Sequence, residues 1–233
     1  MNWGIIGAGR IAHKLAKDMA HVPGARLHAV ASRSLEKAQA FAAAYQAPHA
    51  YGSYEDLLNC PGLEIVYVAT PHTGHAAATL MCLEAGIPVL CEKPFGMNAS
   101  EVGKMVGLAR EKKVFLMEAM WTRFFPVMEQ TLAWVRSGEI GEVECVRADF
   151  GFRAPVLPEG RLYNPALGGG AWLDIGIYPA FFSLLILGNP EGIQAHMQPT
   201  FTGVDGTTVA LLDYPGGQSA ILHASITHQT PTD

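Results

Sequence analysis

Trp3-Gly4-Ile5-Ile6-Gly7-Ala8-Gly9-Arg10-Ile11-Ala12, at the start of the chain, is the stretch that decides the fold. Its first four residues have the character of an apolar strand, and a helix-like pattern follows its last ones. The two later glycines and the final alanine have the spacing of a dinucleotide-binding turn. Gly7 permits the tight strand-to-helix turn, Gly9 lets the backbone approach a pyrophosphate, and the small Ala12 lets the helix pack closely on the sheet.

The start of this first helix is the expected anion site, because its free N–H groups point toward a bound phosphate. Glycine-rich turns also occur for purely structural reasons, so the motif alone leaves that alternative open. Here the motif follows an apolar strand, precedes a helix and opens an alternating strand–helix pattern, which is the context that dinucleotide binding requires. The sequence therefore predicts cofactor contacts from Gly7, Gly9, Arg10 and Ile11.

Residues 1–122 alternate strand-like and helix-like segments, the pattern of an α/β domain with a parallel sheet and crossover helices. Helix starts are indicated by Asn98 with Glu101 and by Ser53 with Asp56, and Gly86 indicates a helix end. We therefore expect a dinucleotide-binding Rossmann domain over residues 1–122. The predicted strands are 3–6, 27–31, 65–69, 89–91 and 114–117.

Residues 123–233 have a different pattern, which predicts a second domain of α+β type. A helical stretch at 126–137 precedes a long strand at 143–152, and a Pro-rich loop then leads to Gly168-Gly169-Gly170. A helix is predicted over 174–187. Three strands separated by Gly-rich turns follow at 193–200, 206–214 and 218–228, and such a succession favours an open, mostly antiparallel sheet.

The composition narrows the classes of partner. The 233 residues carry a net charge of −5, which argues against nucleic acid because phosphate binding needs clustered Lys and Arg. The longest clearly apolar run, 180–187, is too short to span a bilayer, so we expect no membrane partner. The chain enters a strand almost at once, and we expect no signal peptide before it.

The four cysteines, Cys60, Cys82, Cys91 and Cys145, have neither zinc-like nor CxxC spacing. We therefore expect buried free thiols and no metal site. Free thiols favour a reducing, cytoplasmic compartment.

The end of the second predicted strand decides which dinucleotide is preferred. An NAD site usually has an Asp or Glu about twenty residues past the glycines, to bond the ribose 2′-hydroxyl. Here the strand ends Ala31-Ser32-Arg33-Ser34, without a carboxylate. A serine hydroxyl and an arginine fork suit a 2′-phosphate, so Ser32 and Arg33 predict NADP(H) over NAD. The alternative is that Ser34 caps the next helix and Arg33 is simply solvated.

Lys93 is the candidate for proton transfer. Hydride transfer to or from a carbinol needs a group that takes or supplies the hydroxyl proton. Lys93 follows a predicted parallel strand at its carboxyl end, where ligands bind in open α/β sheets. Most lysines are solvated surface groups, but this one stands between Cys91 of an apolar run and a Pro94-Phe95-Gly96 turn.

Asp174 and Tyr178 are the candidates in the second domain. They stand four residues apart at the start of the predicted helix, which places them on one helical face. Asp174 can equally be an ordinary acid at a helix N-terminus, stabilised by the helix dipole.

Several motifs together resemble the glucose–fructose oxidoreductase / inositol dehydrogenase family. Within that family, segments 51–55, 90–94 and 115–126 are similar to a branch of NADP-dependent dehydrogenases that act on dihydrodiols and on D-xylose. The likeness runs over essentially the whole chain, and its most specific part is residues 121–126. The motifs are the turn from Gly7 to Ala12, Thr70-Pro71-His72, Glu92-Lys93-Pro94 and Asp174-Ile175-Gly176-Ile177-Tyr178.

The resemblance implies roles for particular residues. Lys93 would orient and polarise the reacting hydroxyl beside the nicotinamide, while Asp174 and Tyr178 bind the substrate and share its proton. Many members have a histidine later in that second motif, whereas Phe181 and Phe182 follow Tyr178 here, so Tyr178 is the expected proton donor.

The resemblance also implies a set of contacts around these groups. The first set would line the cofactor, and the second would lie near the nicotinamide or the substrate, with Trp121 and Arg123 touching the cofactor as well. The two histidines of the first set can otherwise be ordinary polar residues at a helix start, and aromatic residues are more often core. The first set is Thr70, Pro71, His72, His75, Glu92 and Lys93; the second is Trp121, Arg123 and Phe152.

For the whole molecule, the resemblance implies a Rossmann domain and an open sheet that binds a small diol or sugar and pairs two copies into a homodimer. Family members continue past the point matching Asp233 with further strands and a closing helix, so the second domain here corresponds to part of theirs. Two other functions stay open: a non-catalytic dinucleotide-sensing regulator, and an NAD-retaining glycoside-cleaving enzyme of the same fold.

Overall fold

The computed structural model describes residues 1–231. The chain forms two compact units that divide between Ala119 and Met120, whereas the sequence analysis placed the boundary between Thr122 and Arg123. Each unit has its own sheet and its own buried core, and each is described by itself below.

The first unit is built on six parallel strands in the order β3-β2-β1-β4-β5-β6. Short apolar runs such as Ile65–Val68 are buried along their whole length, as strands covered on both faces require. The short β3 was not among the predicted strands, because its three residues, His-Ala-Tyr, are only half-buried and carry no apolar run. The strands are β1 (Asn2–Ile6), β2 (Arg26–Ala31), β3 (His49–Tyr51), β4 (Ile65–Val68), β5 (Val89–Cys91) and β6 (Leu116–Glu118).

Helices cover both faces of this sheet and bury two apolar clusters against it. The predicted starts are confirmed: the Ser53 side chain accepts a hydrogen bond from the Asp56 N–H at 3.1 Å, and Asn98 accepts one from the Glu101 N–H at 3.0 Å. Gly86 has φ +73°, as expected at a helix end. The helices are α1 (Arg10–Asp18), α2 (Leu35–Tyr45), α3 (Tyr54–Leu58), α4 (His75–Glu84) and α5 (Ala99–Lys112).

The second unit contains a four-stranded sheet in the order β7-β10-β9-β8. The three later strands pair antiparallel as expected, but β7 runs parallel to β10, so the sheet is mixed. Its elements are α6 (Pro126–Ser137), β7 (Cys145–Gly151), α7 (Ile177–Leu187), β8 (Gly192–Pro199), β9 (Asp205–Asp213) and β10 (Ser219–Ser225).

The helix predicted over 174–187 starts earlier and begins with a different geometry. Trp172–Gly176 forms a π-helical turn, and α7 continues from it. Apolar residues of this segment, including Trp172, Phe182 and Ile186, pack on one face of the sheet. The segment is therefore the core helix of the second unit.

The longer stretch Pro165–Leu187 is apolar and long enough to cross a membrane by length and composition alone. The sequence expectation, which considered only residues 180–187, therefore underestimated this segment. It contains the buried carboxylate of Asp174, paired with Arg161, and it packs on its own sheet. Within the apolar part of this stretch, 39% of the residues are buried.

The helical segment 172–187 packs on one face of the second sheet, and exposed side chains lie on its other face. Residues of β9 alternate between buried and exposed, and the exposed set includes Val209 and Leu211, 38% and 45% exposed. Ile221 of β10 pairs with Leu211 and is 37% exposed. The open face therefore has an apolar centre.

Candidate active site

The glycine turn closes against the ends of two neighbouring strands. The Gly7 N–H donates to the Ala31 carbonyl at 2.9 Å, and the Ala69 N–H donates to the Ile6 carbonyl at 2.8 Å. Gly7 has φ +99°, and a Cβ there would lie 2.7 Å from the Ala69 carbonyl oxygen. The requirement for glycine at this position therefore comes from the fold itself.

Gly9 is required for a different reason. Its φ is −90°, which any residue can adopt, and in the described part of the chain a Cβ on Gly9 would have only its chain neighbours within 4 Å. The protein's own packing thus leaves an open space over the backbone at the start of α1, whose first N–H groups are available to an anion. This space fits the close approach of a pyrophosphate, and Arg10 and Ile11 are exposed beside it.

The loop after β4 forms the next part of this edge. The Thr70 side chain has a buried hydroxyl oxygen without a hydrogen-bond partner among residues 1–231. Such an atom costs free energy unless a ligand or water satisfies it. Pro71 is exposed and its carbonyl accepts from the Gly74 N–H at 2.8 Å, which starts a short 3₁₀ turn. A dinucleotide therefore fits the residues present at this edge.

Ser32 and Arg33 follow β2 at the same edge. The Ser32 N–H donates to the Tyr51 carbonyl at 3.1 Å, and the Ser32 hydroxyl accepts from the Ser34 N–H at 3.4 Å. Arg33 is exposed. Ser34 caps α2 by accepting from the Lys37 N–H at 3.3 Å, as the alternative interpretation expected. Capping by Ser34 leaves the Ser32 and Arg33 side chains available to a phosphate.

His75 joins two loops of the candidate site. It has no exposed surface, and its ring nitrogens lie 2.7 Å from the Pro94 carbonyl and 3.0 Å from the Thr70 carbonyl. Burial lowers the pKa of His75, although both carbonyl bonds act in the opposite direction. His75 is therefore placed to hold the backbone at Thr70 and at Pro94. The ring of His72, which is 8% exposed, lies 5.8 Å from the His75 ring between centroids.

Lys93 is half-buried at the carboxyl end of β5 and is held by its neighbours. The Glu92 carboxylate accepts from the Lys93 N–H at 3.1 Å and from the hydroxyl of Tyr67, which is 2% exposed. The Glu92 N–H donates to the Val68 carbonyl at 3.0 Å. Glu92 thus anchors the backbone that presents the lysine.

Glu118, at the end of β6, is a second acid beside Lys93 that the sequence analysis missed. Its carboxylate accepts from the Phe95 N–H at 2.9 Å. Burial raises the pKa of Glu118, with Glu92 adding to the rise while the Phe95 bond and the Lys93 charge oppose it. The available signal was its position within residues 115–126, one of the segments that carry the family resemblance.

In the second unit, Asp174 is paired with an arginine from the Pro-rich loop. Asp174 is 3% exposed, and Arg161 donates to its carboxylate at 2.6 Å. Nothing in the spacing predicts this partner, because Arg161 lies outside any regular element. The ion pair holds the carboxylate that was predicted to bind the substrate.

Asp205 holds the start of the same helical segment. It accepts from the Trp172 N–H at 2.7 Å and from the Thr208 hydroxyl at 2.9 Å. Burial raises the pKa of Asp205, and these hydrogen bonds oppose the rise. A Cβ on Gly170 would lie 2.1 Å from its carboxylate, so the Gly-rich run permits this close contact.

Tyr178 lies among aromatic side chains, and its hydroxyl accepts from the Trp121 indole N–H at 3.0 Å. The Phe150 ring lies 5.7 Å from Tyr178 and 6.3 Å from Phe152 between centroids. The predicted Trp121, Phe152 and Tyr178 are therefore brought together, with Phe150 as a member that the sequence analysis did not name.

Arg123 makes an ion pair with Glu129 at the start of α6. Its side chain is one-third exposed, and the pairing engages the guanidinium that was predicted to touch the cofactor. The structure thus shows a second use for Arg123, within its own unit.

Family comparisons identify both parts of the chain. The family described as "Oxidoreductase family, NAD-binding Rossmann fold" matches residues 1–120, and the GFO/IDH/MocA C-terminal domain matches residues 128–233. The trans-1,2-dihydrobenzene-1,2-diol dehydrogenase of Mus musculus is 44% identical over 235 residues, covering 99% of this chain and 70% of that protein. The Homo sapiens protein of that name is 42% identical over 233 residues, covering 98% and 69%.

Solved structures agree in fold. An aldose-aldose oxidoreductase from Caulobacter crescentus, complexed with glycerol, has a TM-score of 0.91 at 27% identity and covers 98% of this chain and 72% of that one. A 3-ketoreductase mutant from Actinomadura kijaniata, in complex with TDP-benzene and NADP, has a TM-score of 0.90 at 28% identity and covers 98% and 71%. With both of its units matched, this chain belongs to the GFO/IDH/MocA family of oxidoreductases with an NAD(P)-binding Rossmann fold.

Proposed function

We propose that this protein transfers a hydride between NADP(H) and a carbinol of a vicinal diol or aldose, of the trans-dihydrodiol or D-xylose type. The observation that carries the proposal is the half-buried Lys93, which Glu92 and Tyr67 anchor at the edge where the glycine turn lies. The diol dehydrogenases at 42–44% identity and the aldose oxidoreductase of the same fold support this substrate class.

The chemistry divides between the cofactor and the chain. Oxidation removes a hydride from the carbinol carbon and a proton from its oxygen, and a bound nicotinamide would supply the hydride acceptor. The proton is the task of the protein. We assign it to the Lys93 amine, which takes the hydroxyl proton in oxidation and returns it in reduction.

Asp174 and Tyr178 are proposed to bind the substrate hydroxyls. The Arg161 ion pair holds the Asp174 carboxylate in one place, where it can accept a hydrogen bond from a diol. The Tyr178 hydroxyl accepts from the Trp121 indole, and we assign to it a hydrogen bond with a substrate hydroxyl. The Phe150 ring lies beside Tyr178, with the Phe152 ring next to it, and adds an apolar surface for the carbon skeleton of a substrate.

The direct test is a steady-state assay with trans-dihydrodiols and D-xylose, using NADP and NAD separately. We expect NADP reduction with at least one of these substrates. A folded protein that reduces neither cofactor with any diol or aldose would exclude the enzymatic proposal and favour a dinucleotide-sensing regulator. A protein that purifies with tightly bound NAD, and reduces no added NADP, would favour the glycoside-cleaving alternative.

Cofactor preference is proposed to depend on Arg33. Replacing Arg33 by Ala removes charged hydrogen bonds to the 2′-phosphate, and we expect NADPH to bind roughly 10- to 100-fold more weakly while NADH binding stays unchanged. Fluorescence titration of both cofactors measures this. Arg110→Ala, an exposed arginine on α5, is the control and should change neither affinity. Tighter binding of NADH than of NADPH by the wild type would contradict the proposal.

A homodimer is proposed to form through the open face of the second sheet. The exposed Val209, Leu211 and Ile221 give this face an apolar centre that a second copy would bury. Sedimentation velocity should show a dimer for the wild type and a monomer for Leu211→Asp, since a buried unpaired charge opposes association. A wild type that sediments as a monomer at micromolar concentration rules out this interface.

A further inference from the structure

A second cluster of chemically active side chains lies in the first unit, apart from the glycine turn. His28 of β2, His49 of β3 and Cys60, between α3 and β4, each offer one ligand atom, and the three atoms lie within 4.8 Å of one another. His49 is the first residue of β3, and Cys60 precedes β4. The cluster therefore lies toward the amino ends of these strands, whereas Gly7 and Lys93 follow carboxyl ends.

A bulge in β2 brings His28 into the cluster. The pairing of β1 with β2 passes from Leu27 directly to Ala29, so His28 is an extra residue in the register. A bulge of this kind re-aims a side chain. The His28 ring lies edge-on to the His49 ring, with centroids 4.8 Å apart and an interplanar angle of 73°.

The two nitrogens of His28 have different environments. Its Nε2 lies 2.8 Å from the carbonyl oxygen of Pro61, which can only accept, so Nε2 carries the proton. The lone pair of the neutral ring is then on Nδ1. That atom is buried and has no hydrogen-bond partner in the described chain, and His28 as a whole is 7% exposed. Metal-binding histidines commonly donate their second ring N–H to a backbone carbonyl in this way.

Cys60 supplies a soft ligand beside the two imidazoles. It is 5% exposed, and its thiol donates to the Pro61 carbonyl oxygen at 3.9 Å. A thiolate with two imidazoles is a nitrogen–sulfur donor set, which suits zinc and similar transition metals and is unsuited to Mg²⁺ or Ca²⁺.

The geometry points to a divalent transition-metal site of the zinc class formed by His28, His49 and Cys60. Tetrahedral zinc places such ligand atoms roughly 3.3–3.6 Å apart, so the set draws in by roughly 1 Å on binding. The half-buried His49 has the room to do so. Binding forms two metal–nitrogen bonds and one metal–sulfur bond, and the Cys60 thiol proton leaves to solvent without any redox change.

The test uses Co²⁺ as the spectroscopic probe and Zn²⁺ as its competitor. The wild type should develop a thiolate-to-cobalt charge-transfer band with strong tetrahedral visible bands, and Zn²⁺ should abolish both. Cys60→Ser should lose the charge-transfer band. His49→Ala should keep a thiolate band but bind at least about 100-fold more weakly, because loss of an outer partner alone costs 10–100-fold. The controls are the exposed Cys145→Ser and His21→Ala, which should bind as the wild type does.

Thermal unfolding gives a second readout that needs no chromophore. Zn²⁺ should raise the unfolding midpoint of the wild type and of Cys145→Ser, and leave that of Cys60→Ser unchanged, because an ion that binds only the native state stabilises it. The proposal is overturned if the cobalt band is absent from the wild type, persists in Cys60→Ser or disappears in Cys145→Ser. If Cys60→Ser does not fold, His49→Ala at its half-buried position provides the test. Cobalt binding by His49→Ala as tight as that of the wild type would then overturn the proposal.

Discussion

Lys93→Met should lower kcat by about 10²- to 10⁴-fold, the range that a positioned acid–base group contributes. Methionine keeps the length and the apolar stem of lysine but can neither accept nor donate the hydroxyl proton. The Lys93 backbone N–H donates to the Glu92 carboxylate, which also accepts from the Tyr67 hydroxyl, and neither bond is removed by the substitution. Dinucleotide affinity should change little, because the glycine turn and the helix N-terminus are unaltered.

Single-turnover and steady-state kinetics with a diol substrate measure this change, and a fluorescence titration measures cofactor binding separately. Lys104→Met, on the exposed side of α5, is the matched control and should retain wild-type turnover. Unchanged turnover in Lys93→Met would remove this lysine from the mechanism. Loss of cofactor binding together with turnover would assign Lys93 to binding instead.

Substitutions at the two glycines of the turn should separate folding from cofactor binding. Gly9→Ala should weaken dinucleotide binding by at least about tenfold, or about 1.4 kcal/mol, because the new methyl group occupies the open space where a pyrophosphate approaches. Its unfolding midpoint without cofactor should match the wild type, since within residues 1–231 only its chain neighbours lie within 4 Å of that methyl group and φ is negative.

Gly7→Ala is the counterpart and should destabilise the first unit. The left-handed backbone alone costs about 1–3 kcal/mol for a residue with a side chain. The contact of 2.7 Å with the Ala69 carbonyl adds to this, since backbone cannot move aside as a flexible side chain can. Chemical denaturation without cofactor compares the two variants. Equal stability of Gly7→Ala and the wild type would refute this account of the turn.

The first unit could be predicted from sequence in nearly all its parts. Its strands are short continuous apolar runs, and its helix ends carry local signals such as Ser53, Asn98 and Gly86, which act through bonds to near neighbours. The strand β3 escaped prediction because its His-Ala-Tyr sequence has no apolar pattern and is defined by pairing with β2.

The second unit was predicted less completely, because its particular features depend on distant residues. The parallel pairing of β7 with β10 joins segments far apart in sequence, and no local pattern specifies it. The π-helical turn at Trp172–Gly176 begins with an N–H that donates to the Asp205 carboxylate, from a residue about thirty positions later in the chain. A helical periodicity alone cannot distinguish such a turn from an α-helix.

The candidate site shows the same division. Gly7, Gly9 and Lys93 follow strands whose ends could be located, so their common edge was predictable. Arg161, Glu118 and His75 act through contacts made only in the folded chain. Polar partners of this kind have no fixed spacing from the residues they hold, so the motifs did not predict Arg161 or Glu118, whereas His75 was named from the family resemblance.

The pairing of β7 bears on how the protein emerges from the ribosome. The first unit can complete its sheet as soon as β6 has left the exit tunnel, whereas β7 must wait for β10, which is synthesised after β8 and β9. Domains generally fold in order of synthesis, and pairings between distant segments form slowly. During synthesis, the first unit should therefore be able to bind a nucleotide while β7 is still unpaired. At that stage the exposed β7 is the segment that a chaperone would most need to cover.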